Sequence, residues 1–259
     1  MSTPQPFPQR NMYAHEFVEQ HALLETFARL NSPADADKTL QHELEQEFFE
    51  ALSVLTLTLW AKDPQLYEHC YRVQRITHYL TQALKLPQAE GITIELAGLL
   101  HDIGKIAIHN DVLQKPTCLT SEEFQDIKGH AARGAQILSH ITMLDKVMPM
   151  IYHHHERWDG DGYPSGLRSE AIPFGARIVA IADAFEVMTS HRAYMTTCTP
   201  AQALEELRRC AGTQFDPVLV DRFCTALEDT LFQQELIVKV SYSVHAELND
   251  NNCADTPQV

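Results

Sequence analysis

No uninterrupted apolar run in the chain approaches the length of a bilayer span. The longest candidate, 51–61, is short and carries Ser and Thr, whereas a crossing helix needs about 20 apolar residues. The first ten residues are rich in Pro and Gln and lack the apolar centre of a signal peptide. The expectation is therefore a cytoplasmic protein with no membrane partner. The six cysteines form no CxxC pair and no dense framework, which points to reduced thiols acting mostly as small core hydrophobes. Basic residues are scarce beside acidic ones, leaving a formal net charge of −15. Such a surface repels phosphate backbones and argues against a nucleic-acid polymer as partner. A small anionic substrate stays compatible with it if cations gather at one place. Internal repeats are absent.

What the chain does have is helical periodicity, over a length of 259 residues that suits one large domain or one domain with an extension. Apolar spacing predicts helices over 11–30 and 39–61, the second with Leu44, Phe48, Leu52, Leu55 and Leu59 on one stripe. Asp63-Pro64 breaks the pattern and starts a helix running to Leu86, with Asp63 as cap and Pro64 at its first position. Further helices are expected over 94–101, over 120–138 behind the capping-box sequence at Thr120 and Glu123, and over 143–155. The last three are expected over 177–188 after Pro173, from Thr199-Pro200 to Cys210, and from Asp216-Pro217 to Leu227. Only 236–244 alternates, through Val238, Val240, Tyr242 and Val244; it reads as a short terminal strand or as no element. Both ends, 1–10 and 249–259, read as disordered. The fold class is all-α.

The densest chemistry lies in His153-His154-His155-Glu156-Arg157-Trp158-Asp159-Gly160-Asp161-Gly162-Tyr163-Pro164. Imidazole is the commonest protein ligand for transition metals. Neighbours on a helix point about 100° apart, so two adjacent His converge only on something between their faces, such as one ion at a helix end. Other possible ligands are scattered: His69, the pair His101-Asp102, His130 and Asp183. Taken singly, each has an ordinary structural explanation: a surface histidine, a helix-end turn residue, a solvent-facing side chain. Asp183 is the hardest to explain away, because Ile178–Ala182 and Ala184-Phe185 make its helix look buried, and a buried carboxylate needs a cation or hydrogen bonds.

In order, His101-Asp102-Ile103-Gly104-Lys105, Lys128-Gly129-His130, His154-His155-Glu156 through Tyr163-Pro164, and Asp183 followed by Arg192-Ala193-Tyr194 closely resemble the HD-GYP family of bacterial cyclic di-GMP phosphodiesterases. The resemblance spans about 43–227 and includes Leu113 with Lys115-Pro116, Leu119-Thr120 and Thr213–Pro217. It implies a helical bundle of the HD-domain type with a GYP loop, and two transition-metal ions, iron first and manganese or another divalent ion after it. Asp102 would bridge them, with His69, His101 and Asp183 on one ion and His130, His154 and His155 on the other. A His-rich set suits such ions better than magnesium, which prefers oxygen. It further implies hydrolysis of cyclic di-GMP to pGpG, and onward to GMP, by a bridging hydroxide. Lys105 would act on a phosphate oxygen, and Tyr163 and Arg192 would contact the dinucleotide. Glu156 and Arg157 would support the loop, and Trp158 would cover the site or anchor the loop.

Two departures stand out. Relatives with a third metal carry Glu where this chain has Gln65, and Met195 replaces a cation. The missing cation at Met195 keeps open a different cyclic dinucleotide such as cyclic GMP-AMP, or a nucleotide monoester, while Gln65 points to two metals and not three. A rival reading is a weakly active signalling module that retains metal and meets a protein partner through the GYP loop, 159–164. The expected organisation is a helical extension with a disordered lead over 1–42, a catalytic domain over 43–230 and a tail over 231–259.

Overall fold

Helix α4, Gln88–Leu100, has no exposed side beyond its first turn: every residue from Gly91 to Leu100 is buried. A helix without a polar face has to run through the middle of the molecule, and the other helices are arranged around it. The structure, a computed structural model, describes residues 14–32, 37–115, 117–190 and 197–228. Before α4 come α1 (Ala14–Asn31), α2 (Lys38–Lys62) and α3 (Pro64–Ala83). After it come a short α5 (Asn110–Leu113), α6 (Ser121–Lys128), α7 (His130–Leu138), α8 (Met148–His153), α9 (Phe174–Thr189), α10 (Pro200–Arg209) and α11 (Pro217–Glu228). Among the described residues there is no strand, only an isolated bridge between Ala211 and Phe215. The all-α reading holds. The stretch 236–244 lies outside the described residues. No helix among those described is long and apolar enough to cross a membrane.

The α3–α4 hairpin is the spine, and α9 packs on both of its helices. Helix α3 starts where its caps say it should: Asp63 accepts from the amides of Gln65 (3.0 Å) and Leu66 (3.2 Å), with Pro64 in the first turn. Such a cap is worth about 1 kcal/mol. One apolar cluster runs from Leu24 and Phe27 of α1 through Leu96, Leu99 and Ile181 to Phe223 and Leu227 of α11. Helix α1 is also tied to α3 by polar contacts. The Tyr67 hydroxyl donates to Gln20 (2.7 Å), and Glu19 accepts from the Tyr71 hydroxyl (2.6 Å) and from Arg75.

Two expected helices are shorter than their sequence patterns. The pattern over 120–138 divides into α6 and α7 at Gly129, which caps α6 through its amide on Gln125 and Asp126 carbonyls. The pattern over 143–155 yields a 3-10 turn at Thr142–Leu144 and then the six residues of α8. Pro149 has no N–H to continue a helical ladder from the residues before it, and it is tolerated in the first turn, so α8 starts at Met148 with Pro149 next to it.

Beyond α4 the chain turns through a 3-10 segment, Ile103–Ala107, that packs on α7. A Cβ placed on Gly104 would lie 2.0 Å from the His130 carbonyl oxygen and 2.5 Å from the Gly134 amide. Both are backbone atoms and cannot swing aside. Gly104→Ala is therefore expected to lower the unfolding free energy by about 2–3 kcal/mol through overpacking, measured as a shift in the denaturant midpoint. An unchanged midpoint would show that the 103–107 turn and α7 part easily.

Candidate metal centre

The helices deliver imidazoles mostly by their ends. His101 caps the C-terminus of α4, His130 opens α7 just beyond α6, and His154 caps α8. At each of these ends a carbonyl of the last turn lacks a helical donor, and the imidazole supplies one. His101 Nδ1 donates to Gly98 O (2.8 Å), His130 Nδ1 to Ile127 O (2.6 Å) and His154 Nδ1 to Ile151 O (2.6 Å). This fixes the proton on Nδ1 and turns the bare Nε2 inward. His155 follows at the same helix end, His69 projects from α3 and Asp183 from α9.

All of them meet around Asp102, which is 1% exposed. Its Oδ2 lies 3.4 Å from His101 Nε2 and 3.6 Å from His69 Nε2, while Oδ1 faces His130 Nε2 at 3.2 Å. His69 Nε2 is also 3.2 Å from Asp183 Oδ1. On the other side, His130 Nε2 lies 3.3 Å from His154 Nε2 and 3.2 Å from His155 Nε2. Possible ligand atoms thus fall into one group of Asp102, His130, His154 and His155 and another of His69, His101 and Asp183, each within 4.8 Å.

The donor set fits a cation. With Nδ1 protonated on both rings, the facing Nε2 atoms of His130 and His154 are two lone pairs pointed at each other. His101 Nε2 and Asp102 Oδ1 are likewise buried without a hydrogen-bond partner. Burying such acceptors unpaired is costly. A proton does not resolve the conflict. Burial pushes His154 well below the usual imidazole range, helped by His155 and His101; burial and then His130 bring His155 down to about 4; burial also lowers His130. His69 goes the other way. Burial would lower it, but hydrogen bonds to Asp183 and Glu186 raise it to about 9. Asp102 stays well below the carboxylate range despite its burial, because Lys105 and His101 stand beside it.

Around this core, the 3-10 turn brings Lys105 Nζ to 2.6 Å from Asp102 Oδ2. The loop after His155 is built on Glu156, which is buried and accepts from the amides of Ser165 (2.7 Å) and Leu167 (3.1 Å). His153 turns away from the centre, its Nδ1 3.3 Å from Glu156 Oε1. A Cβ on Gly162 would lie 2.3 Å from the Arg157 amide nitrogen, so the loop folds back on itself only with glycine there. The loop is anchored by its backbone here: the Trp158 and Asp159 amides donate to Gln214 O (3.1 Å) and Thr213 O (2.8 Å), and the Trp158 ring has Arg177 Cζ 5.8 Å from its centroid. Arg157 pairs with Asp159, Nη2 to Oδ2 at 2.6 Å. The Tyr163 ring lies 4.9 Å from that of His155, tilted by 30°, with Lys128 Nζ 5.0 Å from its centroid.

Residues 54–219 match the family model of the HD domain. The chain belongs to the HD-domain family and carries an HD-GYP domain. It is 36% identical over 183 residues to a protein of Thermotoga maritima named cyclic di-GMP phosphodiesterase, covering 70% of this chain and 50% of that protein. Over 198 residues it is 32% identical to the 3′3′-cGAMP-specific phosphodiesterase 2 of Vibrio cholerae, covering 76% of this chain and 36% of that protein. The chain thus spans half, or less, of the length of these relatives. In fold it is similar to the crystal structure of a V. cholerae cyclic GMP-AMP specific phosphodiesterase, with a TM-score of 0.56 at 22% identity over 86% of this chain and 53% of that one.

Of the residues singled out in the sequence, the HD-GYP domain brings His69, His101, Asp102, Lys105, His130, His154, His155 and Asp183 together, with Tyr163 at their edge. Arg192 and Met195 lie outside the described residues. Two neighbours were not anticipated. Cys70 puts a buried thiol near His101 and Asp102, its pKa pushed up by burial. Glu186 reaches His69 from α9; the available signal was a second acid three residues after Asp183 in the apolar run that follows Arg177.

The imidazole shifts set how the metal-free protein responds to pH. Free histidine titrates near 6.5. For His155, lowered to about 4, the unfolded chain takes up a proton that the folded chain refuses, so stability present above about pH 6.5 is lost as pH falls towards 4. For His69, raised to about 9, stability is full below about 6.5 and lost as pH rises through 9. In chelator, the denaturation midpoint should peak near pH 6.5 and decline on both sides; a steady climb from pH 7 to pH 9 would contradict the His69 environment.

Proposed function

We propose that this HD-GYP domain is a metal-dependent phosphodiesterase that opens cyclic di-GMP to pGpG, and further to GMP, at a centre of two transition-metal ions, iron first and manganese or another divalent ion after it. The observation that carries the reading is Asp102, whose two oxygens each face a different group of imidazoles in a buried pocket. Bound there, two such ions supply an activated water at neutral pH and screening for the phosphodiester's negative charge. Asp102 would serve both ions, with His69, His101 and Asp183 holding one and His130, His154 and His155 the other. Two ions rather than three are favoured by Gln65, an exposed neutral amide one helical turn before His69, which offers no charge to offset a third.

The remaining residues act on the substrate. Lys105, held beside Asp102, is placed to neutralise charge growing on a phosphate oxygen. Tyr163 offers a stacking face for a base, and Arg192 a fork suited to phosphate or a guanine edge. In this reading 43–230 is the catalytic unit, with 1–42 an extension and 231–259 a tail. The 32% identity to a cGAMP-specific enzyme supports a second reading in which the substrate is another cyclic dinucleotide.

Incubating the iron- or manganese-loaded protein with cyclic di-GMP, 3′3′-cGAMP and cyclic di-AMP and separating the products tests both readings. Cyclic di-GMP should disappear first, as pGpG; preferential loss of cGAMP selects the second reading, and no cleavage of any substrate rejects both. Asp102→Ala should lose metal, read by elemental analysis, and turnover together. Lys105→Ala should keep its metal and fall about 10²–10³-fold in kcat. A wild-type rate in that variant would remove Lys105 from the chemistry.

A further inference from the structure

Three of the inward-facing imidazoles rest on neutral partners, the carbonyls of Gly98, Ile127 and Ile151. His69 does not: its Nδ1 lies 2.5 Å from Oε2 of Glu186, a carboxylate 1% exposed. We propose that Glu186 is the positioning residue for His69, accepting a hydrogen bond from its Nδ1–H so that Nε2 is held towards Asp102 and Asp183, and that it thereby strengthens one of the two ion sites selectively. The proposal rests on the two-ion reading above.

The surroundings of Glu186 are built for this task. A buried carboxylate needs compensation, and its other oxygen, Oε1, accepts from Arg72 Nε (2.7 Å) and from the Ser190 hydroxyl (2.5 Å). Arg72 comes from α3, one turn beyond His69, and Ser190 ends α9. The carboxylate is therefore gripped from two helices on one oxygen while the other faces the ring. Its distance from Asp183 along α9, three residues, sets both acids on the same side of that helix. A carboxylate acceptor makes a shorter, stronger hydrogen bond than a carbonyl. It also makes the far nitrogen of an imidazole a more basic metal ligand. The group of His69, His101 and Asp183 then has two features that the group of His130, His154 and His155 lacks: a carboxylate of its own and a carboxylate behind one histidine. It is the site that should fill first and release last.

Glu186→Gln keeps the shape and removes the charge; Arg72 retains Glu68, 3.5 Å away, as a partner. Manganese titration followed by elemental analysis after dialysis against graded chelator reads both sites without relying on turnover. The wild-type chain should hold two ions. In Glu186→Gln one of them should weaken by about 10–100-fold while the other is unchanged, and Glu186→Asp should recover part of the loss. The ion affected should be the one lost in His69→Ala, so adding Glu186→Gln to His69→Ala should cause no further loss. No ion bound by the wild type overturns the two-ion reading itself. Two ions at wild-type affinity in Glu186→Gln overturn only the role of Glu186. Equal weakening of both sites, in Glu186→Gln and Glu186→Asp alike, assigns Glu186 to the fold and also overturns it.

Discussion

Acceptors facing acceptors in a dry pocket is the condition on which the rest of this structure turns. Three helix ends, of α4, α6 and α8, each leave a carbonyl that a nearby imidazole satisfies through Nδ1. Each ring is thereby committed to presenting a lone pair inward, and Asp102 adds a carboxylate at the point where they meet. The arrangement gathers negative potential in a place water scarcely reaches, which only a cation relieves. Lys105 supplies one positive charge from the side, but an ammonium on one oxygen leaves the opposite imidazoles unanswered. The backbone's ordinary need for hydrogen bonds at helix ends is thus what orients the chemistry.

Burial of α4 follows from the same requirement. A pocket dry enough to suppress protonation of His154 and His155 needs a rigid floor, and a helix without a solvent face provides it. Helices α3 and α9 then bring His69, Asp183 and Glu186 against that floor from the side, and α7 and α8 bring the remaining imidazoles across its end. Stability and function are not separable here: the helices that form the core are the ones that carry the ligands.

How much of this could be read in advance depended on whether a signal was local. Asp63-Pro64, Thr120 with Glu123 and Thr199-Pro200 announced helix starts, and their caps form as read, because a cap involves only four consecutive residues. The break at Gly129 was hidden, since 120–138 keeps helical spacing throughout; what distinguishes it is the imidazole of His130 seeking the Ile127 carbonyl. The ligand residues were recognisable through ordered motifs. Glu186 was not, because its meaning lies in Arg72 and His69, residues more than a hundred positions away along the chain. The anchoring of the loop through the Trp158 and Asp159 amides likewise shows only once the 213–214 segment is in place beside it.

The glycines carry one more consequence. Gly104 lies against the backbone of α7, and Gly162 against that of Arg157, each with too little clearance for even a methyl group. These letters of the motif record how closely two stretches of main chain approach. Transplanting the histidines and aspartates alone into another helical scaffold would leave the imidazoles a carbon's width too far apart. What has to be copied is an absence of atoms, and a search image made only of reactive side chains would miss it.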